Sequence, residues 1–354
     1  MTNTDFIKAV GFYEGLPLEE QASFVDAYST VPNLEPRDIL VKVKAVSINP
    51  VDTKLRQTAK KKAELTVLGF DGVGEVVAIG ENVEKFSVGD RVFYAGTTKR
   101  AGSNQEYQRV DERIVALAPK GLSDEAAAAL PLTALTAYEL LFEKFALLPK
   151  ENANRGKTIL VINAAGGVGS ILTQLAKWAG LTVYGTASLA KFNWLEEHGV
   201  DHSIDYHQDI KEALAKIGVT SVDYSAVLFD VRPYFDLLVE LLAPFGHLGT
   251  IVGLDSPIDI ACLKDKSISF DWEYMFAKTD YAYRLESQGE ILALVAKLMD
   301  QGKLTSTLSK SYKEGINAVS LKQATAEVES GHMQGKVVVS GPFNGSIQAS
   351  SMGK

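Results

Sequence analysis

Apolar and polar positions change rhythm twice along this 354-residue chain. From Val10 to Pro119 the apolar runs are short and alternate with polar residues, and Gly, Pro, Asn and Asp punctuate them. "ILVKVKAVSI" sets every second side chain on one face, as a half-buried strand does. "DGVGEVVAIGENV" and "FSVGDRVFYAG" repeat that grammar, with glycines where turns or bulges fall. This part predicts an antiparallel, barrel-like domain. At Ser123 the spacing becomes helical: "SDEAAAALPLTALTAYELLFEKF" opens on an N-cap serine with acidic residues in the first turn. Strands and helices then alternate, "TILVINA", "GSILTQLAKWAG", "LTVYGTA", "LAKFNWLEEHG", followed by "HSIDY", "YSAVLFDV" and "GHLGTIVG". Near-continuous apolar strands joined by crossover helices predict a parallel, doubly wound α/β domain. Near Thr305 the text returns to loops and short strands ending in "GKVVVSG", so the tail is expected to rejoin the first domain.

Composition narrows the function classes. A net charge of −8 argues against a general nucleic-acid binder, which clusters Lys and Arg on phosphate. The longest apolar region, "AAAALPLTALTAYELLF", is broken by Pro131, Glu139 and hydroxyl residues and is too short for a membrane span. No apolar leader follows "MTNTDFIKAV", and the single cysteine, Cys262, forms no internal disulfide. These features predict a cytoplasmic protein, with Cys262 a small buried apolar residue.

The candidate chemistry begins at "VINAAGGVGS". A strand, a glycine turn and a helix follow one another, the context that a dinucleotide site requires. The register is Ala164-x-Gly166-x-x-Gly169, alanine replacing the usual first glycine. Gly166 lets the backbone approach a pyrophosphate, Gly169 lets helix and strand pack closely, and the free N–H groups of Gly167, Val168 and Gly169 face the anion. The alternative is a tight turn without a ligand. An NAD site places an acid about 20 residues on, at the next strand tip. Here that tip is Thr186, Ala187 and Ser188, and no carboxylate occurs before Glu196. Ser188 with Lys191 suits a ribose 2′-phosphate, hence NADPH, although Ser188 is also a plausible helix N-cap.

A catalytic zinc needs converging Cys, His or acidic ligands. The first 197 residues contain neither Cys nor His. His198 and His202 lie four apart but at a helix end interrupted by Gly199 and Val200, where surface or capping roles are expected. No metal ligands are therefore assigned and no zinc is expected.

Taken together, "VSINPVDTKLR", "LGFDGVGEVVAIGENVEKFSVGDRV", "GSNQEYQRVDE", "AAALPLTALTAYELL" and "VINAAGGVGS" identify a resemblance covering nearly the whole chain. It resembles the medium-chain dehydrogenase/reductase superfamily, in its zinc-independent quinone oxidoreductase branch, and is similar there to the bacterial group labelled zinc-type alcohol dehydrogenase-like. Where zinc alcohol dehydrogenases have a cysteine ligand, this chain has Asn49; where they have Gly-His-Glu, it has Phe70 and Asp71. The four-cysteine structural zinc lobe is missing. The resemblance implies a GroES-like β-barrel catalytic domain over 1–125, a Rossmann domain over 126–304, a return to the catalytic domain over 305–354, and NADPH in the cleft between the domains. It also implies that Asn49 and Asp52 sit at the active-site mouth, with Thr136 near the nicotinamide. Ser188, Lys191 and Tyr206 would gather at the 2′-phosphate. Phe229 and Val231 would line the fourth strand's end, Val252 and Gly253 would end the next strand, and Lys336 would be near the cofactor. Each of Asn49, Phe229 and Lys336 has a plainer alternative, as turn, core and solvated residue respectively.

The expected reaction is metal-free hydride transfer from NADPH to a quinone or an α,β-unsaturated carbonyl, with Asn49 among the donors to the charged oxygen and solvent supplying the proton. The rivals are a non-catalytic NADPH-binding redox sensor or structural protein, and a zinc-dependent alcohol dehydrogenase. A homodimer through the Rossmann sheet edge is expected, carried by the apolar alternation of "PIDIACLKDKSISF".

Overall fold

Residues 6–347 are described by the structure, a computed structural model, and divide into two units. One comprises the chain up to Leu132, Phe276–Gly302 and the part from Ser306 onward; the other comprises Thr133–Met275 with Lys303–Thr305.

The first unit is a β-barrel-like domain. Strands β1 (Phe6–Gly11) and β2 (Val25–Thr30) pair antiparallel. A larger sheet holds β3 (Asp38–Ser47), β4 (Asp71–Ile79), β5 (Arg91–Tyr94), β6 (Tyr107–Asp111), β7 (Val115–Leu117), β14 (Leu308–Tyr312) and β15 (Lys336–Ser340). Its order is β14-β15-β3-β4-β5-β7, with β6 also on β3. The long β3 serves two neighbours in turn: β6 pairs with Asp38–Lys42, and β15 with the stretch from Ala45 to Ser47. Alternation explains the register, since Ile39, Val41 and Val43 are buried while Lys42 between them is exposed. From the tail, β15 joins this sheet beside β3, and its Val337 and Val339 pack with Val43, Val46 and Phe12. Helix α1 (Pro50–Gln57) follows β3 directly, with proline at its first position. Helix α2 (Asp124–Ala128) begins at Ser123, whose hydroxyl accepts from the Ala126 N–H at 3.2 Å.

The second unit is a Rossmann-like doubly wound domain. Its strands β8 (Thr158–Ile162), β9 (Thr182–Ala187), β10 (His202–Asp205), β11 (Val222–Val227), β12 (Leu242–Thr250) and β13 (Ser269–Trp272) are all parallel, in the order β10-β9-β8-β11-β12-β13. Helix α4 (Gly167–Trp178) is the crossover from β8 to β9, and α5 (Phe192–Glu197), α6 (Ile210–Lys216) and α7 (Phe235–Leu241) continue the winding. Before β8 comes α3 (Pro131–Tyr138), which starts at the proline that ends the α2 pattern and passes into a π-helical turn over Glu139–Lys144. Strand order reverses between β8 and β11, and ligands of such sheets bind at the carboxyl ends of strands at that point.

Two expectations fail here. Residues 257–270 do not form one alternating strand: Asp259 caps a 3₁₀ helix, Ile260–Lys266, and only Ser269–Trp272 joins the sheet, as its edge strand. Cys262 lies on that helix and is exposed, because the helix turns Leu263 inward instead. Helix α8 (Phe276–Asp280) and α9 (Glu286–Asp300) follow the Rossmann-like segment in sequence but belong to the first unit, where α9 packs on β7. Helix α10 (Ala318–Glu329) packs on β15. No helix among the described residues is long and apolar enough to cross a membrane.

Candidate active site

Three adjacent strands of the first unit end together. Val338 pairs with Ser47, and Ser47 pairs with Asp71, so the start of β15, the end of β3 and the start of β4 share one end of the sheet. There Asn49, Asp52, Asp71 and Lys336 form a buried polar cluster. Asn49 is the N-cap of α1, and its backbone N–H donates to Asp52 Oδ2 at 2.9 Å. Asn49 Nδ2 donates to Asp71 Oδ2 at 2.8 Å. Lys336 Nζ donates to the Ile48 carbonyl at 3.0 Å, to Asp71 Oδ2 at 3.3 Å and to Asn49 Oδ1. Asp71 Oδ1 takes the Leu132 N–H at 2.8 Å, and the Gly69 N–H donates to Asp52 Oδ1 at 3.2 Å. Gly69 is required, since its φ is +104° and a Cβ would stand 2.5 Å from Ser103 Oγ.

Burial pushes the Asp52 carboxyl up to about 7, with the Asp71 charge adding to the rise and the Asn49 N–H and Lys336 opposing it. Burial pulls the Lys336 ammonium down, against the attraction of Asp71 and Asp52. With Asp52 protonated, Lys336 and Asp71 leave the cluster neutral, the arrangement a buried site favours.

The second unit carries the glycine turn. After β8, Asn163 takes a left-handed conformation with φ 64°, and its N–H donates to Thr186 Oγ1 at 3.1 Å. Gly166 is the N-cap of α4, and Gly167, Val168 and Gly169 form the first turn, whose N–H groups have no partner within the helix. A Cβ on Gly169 would lie 2.4 Å from the Ala164 carbonyl, so only glycine allows this close helix–strand approach. The turn therefore fits a pyrophosphate, as a helix N-terminus with a close backbone does. Ala164 itself is fully buried.

Around the β9 tip, the Tyr206 N–H donates to the Ala187 carbonyl at 3.3 Å, which brings Tyr206 beside Ser188. Tyr206 is 48% exposed, leaving its ring and hydroxyl available to a ligand. Ser188 precedes a 3₁₀ turn over Leu189–Lys191 and makes no side-chain cap bond to it. Lys191 is half-buried, and burial lowers its ammonium. Sequence reasoning missed Asp205, which pairs in register with Ala187. Its carboxylate accepts from the His207 N–H at 3.1 Å and lies 2.7 Å from His207 Nδ1, bonds that hold it below the usual range. Reading the β10 tip as well as the β9 tip would have found it.

The remaining candidates fall in several places. Thr136 is buried on α3 in the second unit. Phe229 follows β11 and is 61% exposed, so it is not core; Val231, two residues on, is fully buried. Val252 and Gly253 lie just past the end of β12. Lys336 gathers with Asn49 and Asp52 and is not a solvated residue. Asp71 and Ser103, whose hydroxyl donates to the Asp71 carbonyl at 2.8 Å, complete the cluster and were not among the candidates. Asp71 was legible only as a departure from a zinc-ligand segment.

Comparison with known proteins adds to this geometry. Residues 35–122 match the alcohol dehydrogenase GroES-like domain, and residues 198–339 match a family described as zinc-binding dehydrogenase. A zinc-type alcohol dehydrogenase-like protein of Staphylococcus aureus (strain MRSA252) is 42% identical over 94% of this chain and 99% of its own length. The NADPH-dependent alkenal/one oxidoreductase of Arabidopsis thaliana is 31% identical over 87% of this chain and 73% of its own length. The solved structure of an alcohol dehydrogenase superfamily protein from Novosphingobium aromaticivorans superposes with a TM-score of 0.83 at 25% identity, covering 95% of this chain and 99% of that one.

Zinc appears in two of these descriptions, and the residues present do not fit it. Catalytic zinc takes three Cys, His or carboxylate ligands. The cluster offers a main-chain carbonyl, a carboxamide and two carboxylates, of which Asp52 already accepts the Asn49 and Gly69 N–H groups and Asp71 those of Asn49 and Leu132, and an ammonium already sits among them. Among the described residues no three His, Cys, Asp or Glu side chains converge as a metal site.

Proposed function

The chain belongs to the medium-chain dehydrogenase/reductase superfamily, in its quinone oxidoreductase-like branch, and we propose that it uses NADPH to reduce an α,β-unsaturated carbonyl, a quinone being the alternative acceptor. The observation that carries this reading is the β9 tip, where Ser188, Lys191 and Tyr206 stand and the strand ends without an acid. A 2′-phosphate is matched by a hydroxyl and a cation, whereas a free ribose 2′-OH is matched by a carboxylate. Asp205 nearby is committed to His207. Two plant relatives at 31% identity, an NADPH-dependent alkenal/one oxidoreductase and a 2-methylene-furan-3-one reductase, support an unsaturated-carbonyl acceptor, and the name of the first supports NADPH.

When bound, the nicotinamide supplies hydride. This chain's own residues hold and orient. The first turn of α4 binds the pyrophosphate through its N–H groups, and Lys191, Ser188 and Tyr206 hold the 2′-phosphate. Asn49 keeps one N–H beyond its bond to Asp71, a donor for an oxygen gaining charge. Asp52, pushed by burial up to about 7, exchanges a proton near neutral pH in the same cluster. The open edge of β13, which pairs only with β12 among the described residues, is where a homodimer would form.

Steady-state assays with NADPH against a panel of enals, enones and quinones test the acceptor class. Turnover of the unsaturated carbonyls above the quinones is the expected result. Tight NADPH binding with no turnover of any acceptor would replace the proposal by a binding role.

A further inference from the structure

Lys336 begins β15 and is 2% exposed. A lysine ammonium has three N–H donors and no acceptor. Here it meets three oxygens: the Ile48 carbonyl, Asn49 Oδ1 and Asp71 Oδ2. Every donor is spent within the cluster, so none is left for a substrate or a phosphate.

The ammonium also decides how Asn49 points. Only the carboxamide oxygen can face it, which turns Nδ2 toward Asp71 and leaves one N–H over. Asp71, with no exposed surface, pairs with the Lys336 ammonium at 3.3 Å. Oxygens from separate segments converging on one point of positive charge is also how hard metal ions are held. In this chain the charge is covalently attached. Of its partners, Asn49 stands where the resemblance puts a cysteine ligand of the zinc alcohol dehydrogenases, and Asp71 lies beside Phe70 in the segment that replaces their Gly-His-Glu.

We propose that Lys336 is the resident cation of this site: its ammonium takes the place of a metal ion, neutralises Asp71 and fixes the Asn49 carboxamide. Lys336 is then a positioning residue, and the chain is metal-independent by construction, whatever its acceptor. The titratable groups facing the ammonium are Asp71 at the start of β4 and Asp52 on α1.

The test compares metal content and thermal unfolding of the full-length wild type, with and without a chelator, with Lys336→Met, Asp71→Asn and the double variant. The wild type is expected to carry no stoichiometric metal and to be indifferent to the chelator. Lys336→Met is expected to lower Tm by about 5–10 °C, because a buried carboxylate loses its partner. Adding Asp71→Asn is expected to restore about half of that loss or more, since Asn49 is then free to flip and pair with the new amide. A lysine that merely fills space predicts losses that add. Additive losses, or about one zinc per wild-type chain whose removal lowers Tm, would overturn the proposal. A Lys336→Met that fails to fold while the double variant folds counts as recovery. If neither folds, the wild-type metal content decides.

Discussion

Asp52 shows how a single side chain couples burial to acidity. Its carboxyl rises from 3.8 to about 7 chiefly because it is buried. Between those values the folded chain binds more protons than the unfolded chain, so this group's contribution to stability falls as pH rises through that window and is flat above it. The slope is at most about 1.4 kcal/mol per pH unit. Replacing Asp52→Asn removes it, and thermal unfolding from pH 4 to pH 8 is expected to show the variant gaining on the wild type as pH rises. A constant difference across that range would contradict the assignment. At this scale the sequence named Asn49, Asp52 and Lys336 but not what they do together. Their meeting depends on the register of β15, β3 and β4, which no local pattern specifies. Cys262 was misread for a related reason: its exposure follows from a 3₁₀ turn capped by Asp259, where an alternating strand was expected.

Among elements, the β8–α4 turn was the most legible, because strand, glycines and helix are contiguous and Gly169 has a steric reason. Gly169→Ala puts a methyl group 2.4 Å from the Ala164 carbonyl, which neither main chain can yield without moving the helix. The variant is expected to lose about 2 kcal/mol or more of stability and to bind NADPH weakly, as denaturant unfolding and a cofactor titration would show. Wild-type behaviour in both would mean that α4 sits farther from β8. Less legible were the elements that tertiary packing decides. The 257–270 stretch alternates convincingly, yet most of it is a 3₁₀ helix. The 286–300 helix continues the α/β rhythm in sequence but packs on β7. The stretch from Ser123 was read as one helical pattern, whereas Pro131 starts a second helix within it.

On the scale of the whole molecule, two kinds of hydrophobic rhythm became two kinds of sheet. Alternation with turn residues produced the mixed, mainly antiparallel sheet of the first unit, and solid apolar runs with intervening helices produced six parallel strands. That division was readable because each rhythm extends over many elements. The proposed cofactor rests on a missing acid at the β9 tip, which the sequence displays, although Asp205 on the neighbouring strand enters only with the pairing of β10 to β9. The central claim is that this corner selects NADPH for reduction of an unsaturated carbonyl. It is tested most directly by kcat/KM for NADPH and for NADH with one enone, in the wild type and in Lys191→Ala. The account predicts a preference for NADPH of about 10-fold or more, equivalent to about 1.4 kcal/mol, that largely disappears in the variant. Equal use of the two cofactors by the wild type, or a preference for NADH, would contradict it.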